Sequence, residues 1–248
     1  MKLALIGYGN MGKEIEKLVQ ETGAHEIVSI SYKNTSDDLD KNGISQADVA
    51  LDFTSPEVVL ENIKEVSSLS KNLVVGTTGW YENIDKVKTI VQKNKTGLIY
   101  GQNFSIGANI FFKIVSFSSK LFSRFGKYDV FGYETHHKGK KDSPSGTAKK
   151  LSSLIMKNFP TKKVLQDAKL DRQVKDEELH FASIRGGRNP GSHEVIFDSE
   201  ADEIRLTHSA HGRRGFAEGA IMAAEFIYGK RGFYSFDELF NNDSLNEQ

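Results

Sequence analysis

The sequence predicts an α/β fold, a doubly wound parallel sheet, followed by a second α+β domain built on a mixed or antiparallel sheet. In the first part of the chain, short apolar runs alternate with amphipathic helical patterns, as strands joined by helical crossovers do. After about Asn103, strand-like segments are separated by short Gly-, Asn- and Asp-containing turns, which favour antiparallel pairing. We therefore place one domain at 1–104 plus 213–248 and the other at 105–212.

Each element of the first domain follows from its own pattern. Short runs rich in Val, Ile and Leu predict strands at 3–6, 26–31, 48–52, 73–75 and 97–100. The first helix follows a glycine motif and has Ile15, Leu18 and Val19 on one apolar face. A second helix is expected from Ser55, as N-cap before a proline, to about Ser68, and a third near 82–92.

The second domain begins with an aromatic-rich helix at 106–125. An alternating strand is predicted at 128–135, and a helix starts near Ser145 after a basic loop. Further strands are expected at 180–185, 194–198 and 204–209. The last helix, at about 217–228, is rich in Ala and should pack back on the first domain.

The composition excludes several classes of function. The 248 residues contain 33 Lys and Arg against 33 Asp and Glu, so blanket attraction to nucleic acid or to an anionic membrane is not expected. The absence of Cys removes thiol nucleophiles, disulfides and Cys-ligated metals, and we expect no metal site. No apolar run approaches the length of about 20 residues that spans a bilayer. We expect a cytoplasmic protein whose first strand starts at the first residues.

A glycine motif indicates a nucleotide cofactor. Gly7-x-Gly9-x-x-Gly12 follows a strand and opens a helix, which is the context of the dinucleotide-binding fingerprint of Rossmann-like sheets. Gly7 permits a tight turn, Gly9 lets the backbone approach a pyrophosphate, and Gly12 permits close packing of helix and strand. The alternative is a purely structural glycine turn.

The end of the second predicted strand bears on the choice between NAD and NADP. An acidic residue there binds the ribose 2′-hydroxyl, whereas a basic one accommodates a 2′-phosphate. Lys33 stands in this region and no carboxylate follows until Asp37, which favours NADP or dual use, unless Lys33 is only a solvated loop cation. Two further loops, 76–79 and 101–104, follow strands and are either part of the cofactor rim or simple turns.

The segment 134–148 is the most informative part of the chain. Two adjacent His residues and three Lys residues stand directly before a Ser-Gly-Thr helix start. Ser145, Gly146 and Thr147 at a helix N-terminus can hold a carboxylate, and His137 can hold further negative charge. His136 and Lys140 are candidate proton donors. The alternative is a basic, solvated loop before a capped helix.

These motifs together resemble one family. The sequence is similar to the 4-hydroxy-tetrahydrodipicolinate reductase family, also called dihydrodipicolinate reductase, over nearly the whole chain. The resemblance rests on the glycine motif, on Asp52-Phe53-Thr54, on 76–79 and 103–105, on the E-x-H-H-x-x-K-x-D-x-P-S-G-T-A segment from Glu134 to Ala148, on 184–187 with Gly191, and on 213–220.

The resemblance implies reduction of a cyclic dicarboxylic imine precursor by NADPH or NADH, with loss of water, in lysine and diaminopimelate biosynthesis. It implies acid–base roles for His136 and Lys140, and substrate contacts for His137, Gly146 and Thr147, to which the helix start itself adds Ser145. The cofactor positions that it implies, together with Lys33, are Gly7, Tyr8, Gly9, Asn10, Met11, Gly12, Gly76, Thr77, Thr78, Gly101, Gln102, Asn103 and Phe104. A homotetramer formed through the sheet of the second domain is also implied.

One departure and two rival functions stay open at this level. Many members of the family carry an acidic residue after the second strand, where this chain has Tyr32-Lys33, so cofactor preference is undecided. Arg213 is either a hinge residue or a surface ion-pair residue. The rivals are an amino-acid dehydrogenase of the same architecture and a nucleotide-sensing protein without catalysis, neither of which needs the segment 134–148.

Overall fold

The computed structural model describes residues 1–32 and 39–240, which form two compact units. One unit comprises Met1–Ile106 with the described residues from Arg213 onward, and the other comprises Gly107–Gly212. The strands in chain order are β1 (Lys2–Ile6), β2 (Glu26–Ser31), β3 (Val49–Asp52), β4 (Asn72–Val75), β5 (Gly97–Tyr100), β6 (Asp129–His136), β7 (Val164–Gln166), β8 (Glu178–Arg185), β9 (Ser192–Asp198), β10 (Glu203–Ser209) and β11 (Gly232–Ser235). The α-helices are α1 (Asn10–Thr22), α2 (Lys41–Gln46), α3 (Val59–Ser68), α4 (Ile84–Asn94), α5 (Ile106–Phe122), α6 (Gly146–Asn158) and α7 (Arg214–Ile227).

The first unit is built on a parallel sheet with the strand order β2-β1-β3-β4-β5-β11. Buried side chains cover both faces of this sheet, with α1 and α7 on one face and α3 and α4 on the other. The expected doubly wound sheet is thus confirmed. Because all strands run the same way, their carboxyl ends and the turns that follow them lie at one edge, where open α/β sheets bind ligands.

The second unit has a mixed sheet in the order β10-β9-β6-β8-β7. The pairs β6–β9 and β9–β10 are antiparallel, whereas β6–β8 and β7–β8 are parallel. The parallel pair β6–β8 arises because α6 and β7 intervene and form a crossover connection, which short turns cannot supply. The helix-covered face of the sheet packs Phe181, Val195 and Phe197 against α5 and α6.

Several helix boundaries in the structure differ from those predicted, each for a local reason. The helix expected from Ser55 begins at Val59, because Ser55 first starts a turn in which its carbonyl accepts the amide of Val59 at 3.2 Å. Helix α5 ends at Phe122, three residues early, in turns that lead to β6. The short elements α2, β7 and β11 were not predicted, since none is long enough to develop a clear period.

Candidate functional site

The three glycines after β1 have different structural reasons. Gly7 has φ +88°, and a Cβ there would lie 2.5 Å from the carbonyl oxygen of Phe53. A Cβ on Gly12 would lie 2.4 Å from the carbonyl oxygen of Gly7. Around the Cβ position of Gly9, the N-cap of α1, the described residues place no atom within 4 Å. Gly7 and Gly12 are thus required by packing, whereas Gly9 leaves the amides at the start of α1 open to an anion.

A buried carboxylate joins the turns after β3 and β4. The Oδ1 atom of Asp52 accepts hydrogen bonds from the hydroxyls of Thr54 and Thr77, each at 2.7 Å, and from the Thr54 amide at 3.1 Å. Its Oδ2 atom accepts from Asn62 Nδ2 at 2.8 Å. Burial raises the pKa of the Asp52 carboxyl, and the four donors oppose this only in part because none is charged.

Aromatic packing fixes the turns after β4 and β5, at the same edge of the parallel sheet. A Cβ on Gly76 would lie 2.0 Å from the Phe53 ring, so glycine is required there. The ring of Phe104 is buried against Phe53 and Phe236, with centroid distances of 5.9 and 4.7 Å, and the side chain belongs to the core. Thus Phe104 offers a ligand only its backbone, and its ring instead fixes the turn after β5.

The remaining predicted cofactor residues differ in exposure. Tyr8 stacks edge-to-face on the exposed Tyr32 at 5.0 Å, and its hydroxyl donates to Glu16. Asn103 Oδ1 accepts the amide of Ser105 at 2.8 Å. Asn10, Thr78 and Gln102 are exposed, while Met11 packs partly into the core. Lys33 lies outside the described residues.

The second unit contains a buried carboxylate of another kind, at Glu134 near the end of β6. Its Oε1 atom accepts from the Ser145 amide at 2.9 Å, from Ser183 Oγ at 2.9 Å and from the Arg185 guanidinium at 2.7 Å. Its Oε2 atom accepts from the Ser145 hydroxyl and lies 3.2 Å from His193 Nε2. Burial would raise the pKa of Glu134, but the hydrogen bonds from His193, Ser145 and Arg185 outweigh it and hold the pKa well below its usual range.

His136 is buried beside this carboxylate. Its Nδ1 lies 3.1 Å from the Pro190 carbonyl oxygen, and its Nε2 lies 3.4 Å from Glu134 Oε2, without the geometry of a hydrogen bond. Gly191 has φ +153°, and a Cβ there would lie 2.6 Å from the imidazole, so the glycine lets the loop backbone close over the ring. Burial lowers the pKa of His136 and Glu134 raises it, with the net shift downward.

The other two charged candidates are more accessible. His137 is exposed, and its backbone amide donates to the Asn189 carbonyl at 2.8 Å. Lys140 is partly buried and its Nζ pairs with Asp142 at 2.8 Å; this hydrogen bond lowers the pKa of Asp142. The charge of Lys140 also lowers the pKa of His136.

The first turn of α6 is accessible at Gly146. Ser145 is the N-cap: its hydroxyl oxygen accepts the Ala148 amide at 3.1 Å, while its own amide is bound to Glu134. Gly146 is exposed, and the described residues place no atom within 4 Å of its Cβ position. Thr147 is partly buried in the same first turn. Such a helix N-terminus is suited to a carboxylate.

A metal ion is one possible occupant of this cluster. Glu134, His136 and His193 each offer a ligand atom within 4.8 Å of the others. However, both Glu134 oxygens already accept hydrogen bonds, and the Arg185 guanidinium stands directly on one of them. A cation beside the carboxylate and occupied lone pairs favour a hydrogen-bonded network over a metal site.

Sequence reasoning did not identify the residues that organise the two regions. Asp52, Glu134 and Arg185 entered only as parts of matching motifs, and His193 and Pro190 were not singled out. Glu134 carried a usable signal, because a charged residue within an alternating strand faces the same side as apolar residues. Arg185 and His193 carried none, since their neighbours in space come from other strands.

The comparisons with known proteins identify the family. The sequence profile described as "Dihydrodipicolinate reductase, N-terminus" matches residues 1–104, and the one described as "Dihydrodipicolinate reductase, C-terminus" matches residues 107–240. The chain belongs to the dihydrodipicolinate reductase family. The resemblance found in the sequence is thereby confirmed, and this is a family of oxidoreductases.

Curated relatives from distant organisms agree with this family. The 4-hydroxy-tetrahydrodipicolinate reductase of Christiangramia forsetii is 34% identical over 244 residues, which cover 98% of each chain. That of Methanococcus aeolicus is 35% identical over 246 residues, covering 96% of this chain and 82% of the relative.

A solved structure supports the fold. The dihydrodipicolinate reductase of Paenisporosarcina sp. TG-14, with dipicolinate bound, superposes with a TM-score of 0.79 at 24% identity, covering 96% of this chain and 99% of that one. The predicted parallel sheet with a second, mixed sheet is that of this family. Within the described residues, no helix is both long and apolar enough to cross a membrane.

Proposed function

We propose that the protein reduces 4-hydroxy-tetrahydrodipicolinate to tetrahydrodipicolinate with NADPH or NADH, in lysine and diaminopimelate biosynthesis. The substrate gains a hydride and a proton and loses water. The observation that carries the proposal is the segment from Glu134 to α6, in which one buried carboxylate lies beside His136 and binds the amide of Ser145 at the start of a helix. Neither rival function needs this arrangement.

The first unit supplies the features that a dinucleotide needs. The open approach at Gly9 fits a pyrophosphate against the amides at the start of α1. The turns after β3 and β4, joined through Asp52, lie at the same edge of the sheet and suit the nicotinamide end of the cofactor. The bound cofactor would supply the hydride. Lys33, outside the described residues, is proposed to favour NADPH.

The second unit supplies charge and protons for a dicarboxylate. Gly146 and Thr147 at the start of α6, with the exposed His137, are proposed to hold the substrate carboxylates. As the imine is reduced, negative charge develops at the ring nitrogen. A protonated His136 or Lys140 neutralises that charge by donating a proton.

The test is a coupled assay with freshly prepared 4-hydroxy-tetrahydrodipicolinate. The loss of reduced nicotinamide is followed with NADH and NADPH in parallel, and a reaction without substrate is the control. We expect substrate-dependent oxidation of at least one cofactor. No oxidation of either would reject the reductase function.

Cofactor preference is tested by Lys33→Asp. We expect the KM for NADPH to rise more than the KM for NADH, because a carboxylate repels the 2′-phosphate. Lys41→Asp, at the exposed start of α2, is the matched control. Equal changes for the two cofactors would make Lys33 a bystander.

We also propose that the chain assembles into a homotetramer through the open face of the second sheet. The face opposite the helices carries Ile184, which is half exposed, on β8, and Phe131 on β6. Light scattering in solution should give the mass of four copies. Ile184→Asp should lower this mass, whereas Val174→Asp, at an exposed apolar residue outside the sheet, should not. A cytoplasmic location stays a prediction from the sequence.

A further inference from the structure

One carboxylate oxygen atom in the second unit lies beside two imidazole rings. Oε2 of Glu134 lies 3.4 Å from His136 Nε2 and 3.2 Å from His193 Nε2. The two rings meet edge to face, with centroids 5.2 Å apart, and each residue is less than a tenth exposed. Glu134 and His193 are direct cross-strand neighbours on β6 and β9. Three buried titratable groups are therefore in contact with one another.

The hydrogen bonds of His136 identify its titrating atom. Nδ1 stands 3.1 Å from the Pro190 carbonyl, which only accepts, so Nδ1 carries a hydrogen. Nε2 is buried and has no hydrogen-bond partner among the described residues, although it lies beside the carboxylate. Gain or loss of a proton by His136 thus takes place at Nε2, directly beside Oε2 of Glu134.

The other charged and titratable groups around this cluster come from every neighbouring strand and loop. Arg185, the register partner of His136 on β8, binds the other oxygen of Glu134 at 2.7 Å. His208 on β10 is the register partner of His193. The loop after β6 contributes His137, Lys140 and Asp142, the last two paired with each other. Of the two acidic residues at this cluster in the described part of the chain, Glu134 lies beside the His136 ring and Asp142 pairs with Lys140.

We propose that Glu134 and His193 are positioning residues that set the proton affinity of His136 in opposite directions through the shared Oε2 atom. The negative charge of Glu134 stabilises the imidazolium form of His136 in a site where burial disfavours it. His193 directs its Nε2 at the same oxygen and thereby reduces the charge available to His136. The functional consequence rests on the proposed role of His136 as a proton donor.

The experiment measures the titration of His136 directly. The imidazole resonances of His136 are followed by NMR against pH in the full chain, and the pH profiles of kcat and kcat/KM are recorded in parallel. Glu134→Gln should lower the pKa of His136, because the amide keeps an acceptor but removes the charge. His193→Phe should raise it, because the ring is retained while the competing N–H is lost. Glu194→Gln, on β9 and paired with Arg205, is the matched control and should leave the titration unchanged.

The variants should also separate kcat from KM. In Glu134→Gln we expect kcat at neutral pH to fall by about tenfold or more, because less of His136 is protonated, with the KM for cofactor unchanged. In His193→Phe the basic limb of the kcat profile should move to higher pH. A role in stability alone would change the melting temperature of both variants and leave the titration where it is.

The proposal is overturned if the two variants move the His136 titration in the same direction, or if neither moves it. If Glu134→Gln does not fold, Arg185→Gln takes its place: removing the guanidinium that binds Glu134 must raise the pKa of His136, and an unchanged value would overturn the proposal. Opposite shifts in the titration without matching shifts in the kcat profile would support the coupling and reject His136 as the proton donor, which is a failure of the role proposed for His136 and leaves the coupling standing.

Discussion

Among the described residues, Asp52 and Glu134 are fully buried carboxylates near the carboxyl ends of strands, and they are held in different ways. Asp52 at the end of β3 accepts only from hydroxyl and amide groups of Thr54, Thr77 and Asn62. Glu134 near the end of β6 accepts from a guanidinium and an imidazole as well as from Ser145. Neutral donors leave burial dominant, and the pKa of Asp52 rises; around Glu134 the hydrogen bonds from His193, Ser145 and the Arg185 guanidinium outweigh burial, and its pKa falls.

This difference matches the two kinds of binding that we propose for the two units. The edge of the parallel sheet near Asp52 presents backbone amides and hydroxyls, so its carboxyl only has to fix the shape of the turns. Near the start of α6, Glu134 instead supplies a negative charge that pairs with the Arg185 guanidinium and faces the imidazole of His136. The comparison predicts that changes in the second unit affect turnover, while changes in the first affect cofactor affinity.

The largest effect is expected at the two candidate proton donors. We expect His136→Gln or Lys140→Ala to lower kcat by about 10² to 10⁴, the usual contribution of general acid–base catalysis, with little change in the dissociation constant of the cofactor. Steady-state kinetics and fluorescence titration of reduced cofactor measure the two quantities. Lys141→Ala, at the exposed neighbouring lysine, is the control and should keep kcat. A collapse of cofactor affinity in either variant would contradict the assigned roles.

The second prediction compares the two carboxylates in stability. Glu134→Ala removes the carboxylate that pairs with the Arg185 guanidinium and that accepts from the buried Ser145 amide and hydroxyl, and should lower the free energy of unfolding by about 3–5 kcal/mol. Asp52→Asn keeps an oxygen acceptor among neutral donors, and should cost only about 1–2 kcal/mol. Urea denaturation of both variants measures these values. Equal losses would show that the nature of the donors does not matter.

The first unit could be predicted largely from its sequence. Its strands are continuous apolar runs, and the spacing of Gly7, Gly9 and Gly12 encodes a backbone shape that depends on local residues alone. The predicted position of Phe104 at the rim was less informative, because the sequence could not show that its ring turns into the core.

The site in the second unit could be predicted only in part. His136 and Lys140 were recognised because they are neighbours in one loop. The residues around them come from different strands. Arg185 on β8 and His193 on β9 both contact Glu134 on β6, so these contacts depend on strand register. The sequence also did not show that β8 and β9, which a short turn joins and which were expected to pair antiparallel, lie on opposite sides of β6.

A smaller effect tests whether the glycines of the first unit serve packing or ligand. Gly12→Ala places a Cβ 2.4 Å from the Gly7 carbonyl and should destabilise the fold by about 1–3 kcal/mol through overpacking. Gly9→Ala meets open space and an extended backbone, so the melting temperature should stay near that of the parent. The added methyl group should nevertheless weaken cofactor binding by about tenfold, because it stands where the pyrophosphate approaches. Normal cofactor affinity in Gly9→Ala would remove this glycine from the binding site.

The smallest predicted effect is that Glu134 and Asp52 change the stability of the fold with pH in opposite directions. The pKa of Glu134 in the folded protein lies below its unfolded value of about 4.3, so its contribution to stability is present above that pH and is lost as pH falls. The pKa of Asp52 lies above its unfolded value of about 3.9, so its carboxyl stabilises the fold when protonated and loses that contribution as pH rises. As pH falls from neutral, the stability of the parent relative to Asp52→Asn should therefore grow, whereas below about pH 4.3 its stability relative to Glu134→Gln should shrink. Denaturation of the three proteins across this range measures both slopes. Slopes of the same sign would mean that the two carboxylates are held alike, because only opposite shifts in pKa make the slopes diverge.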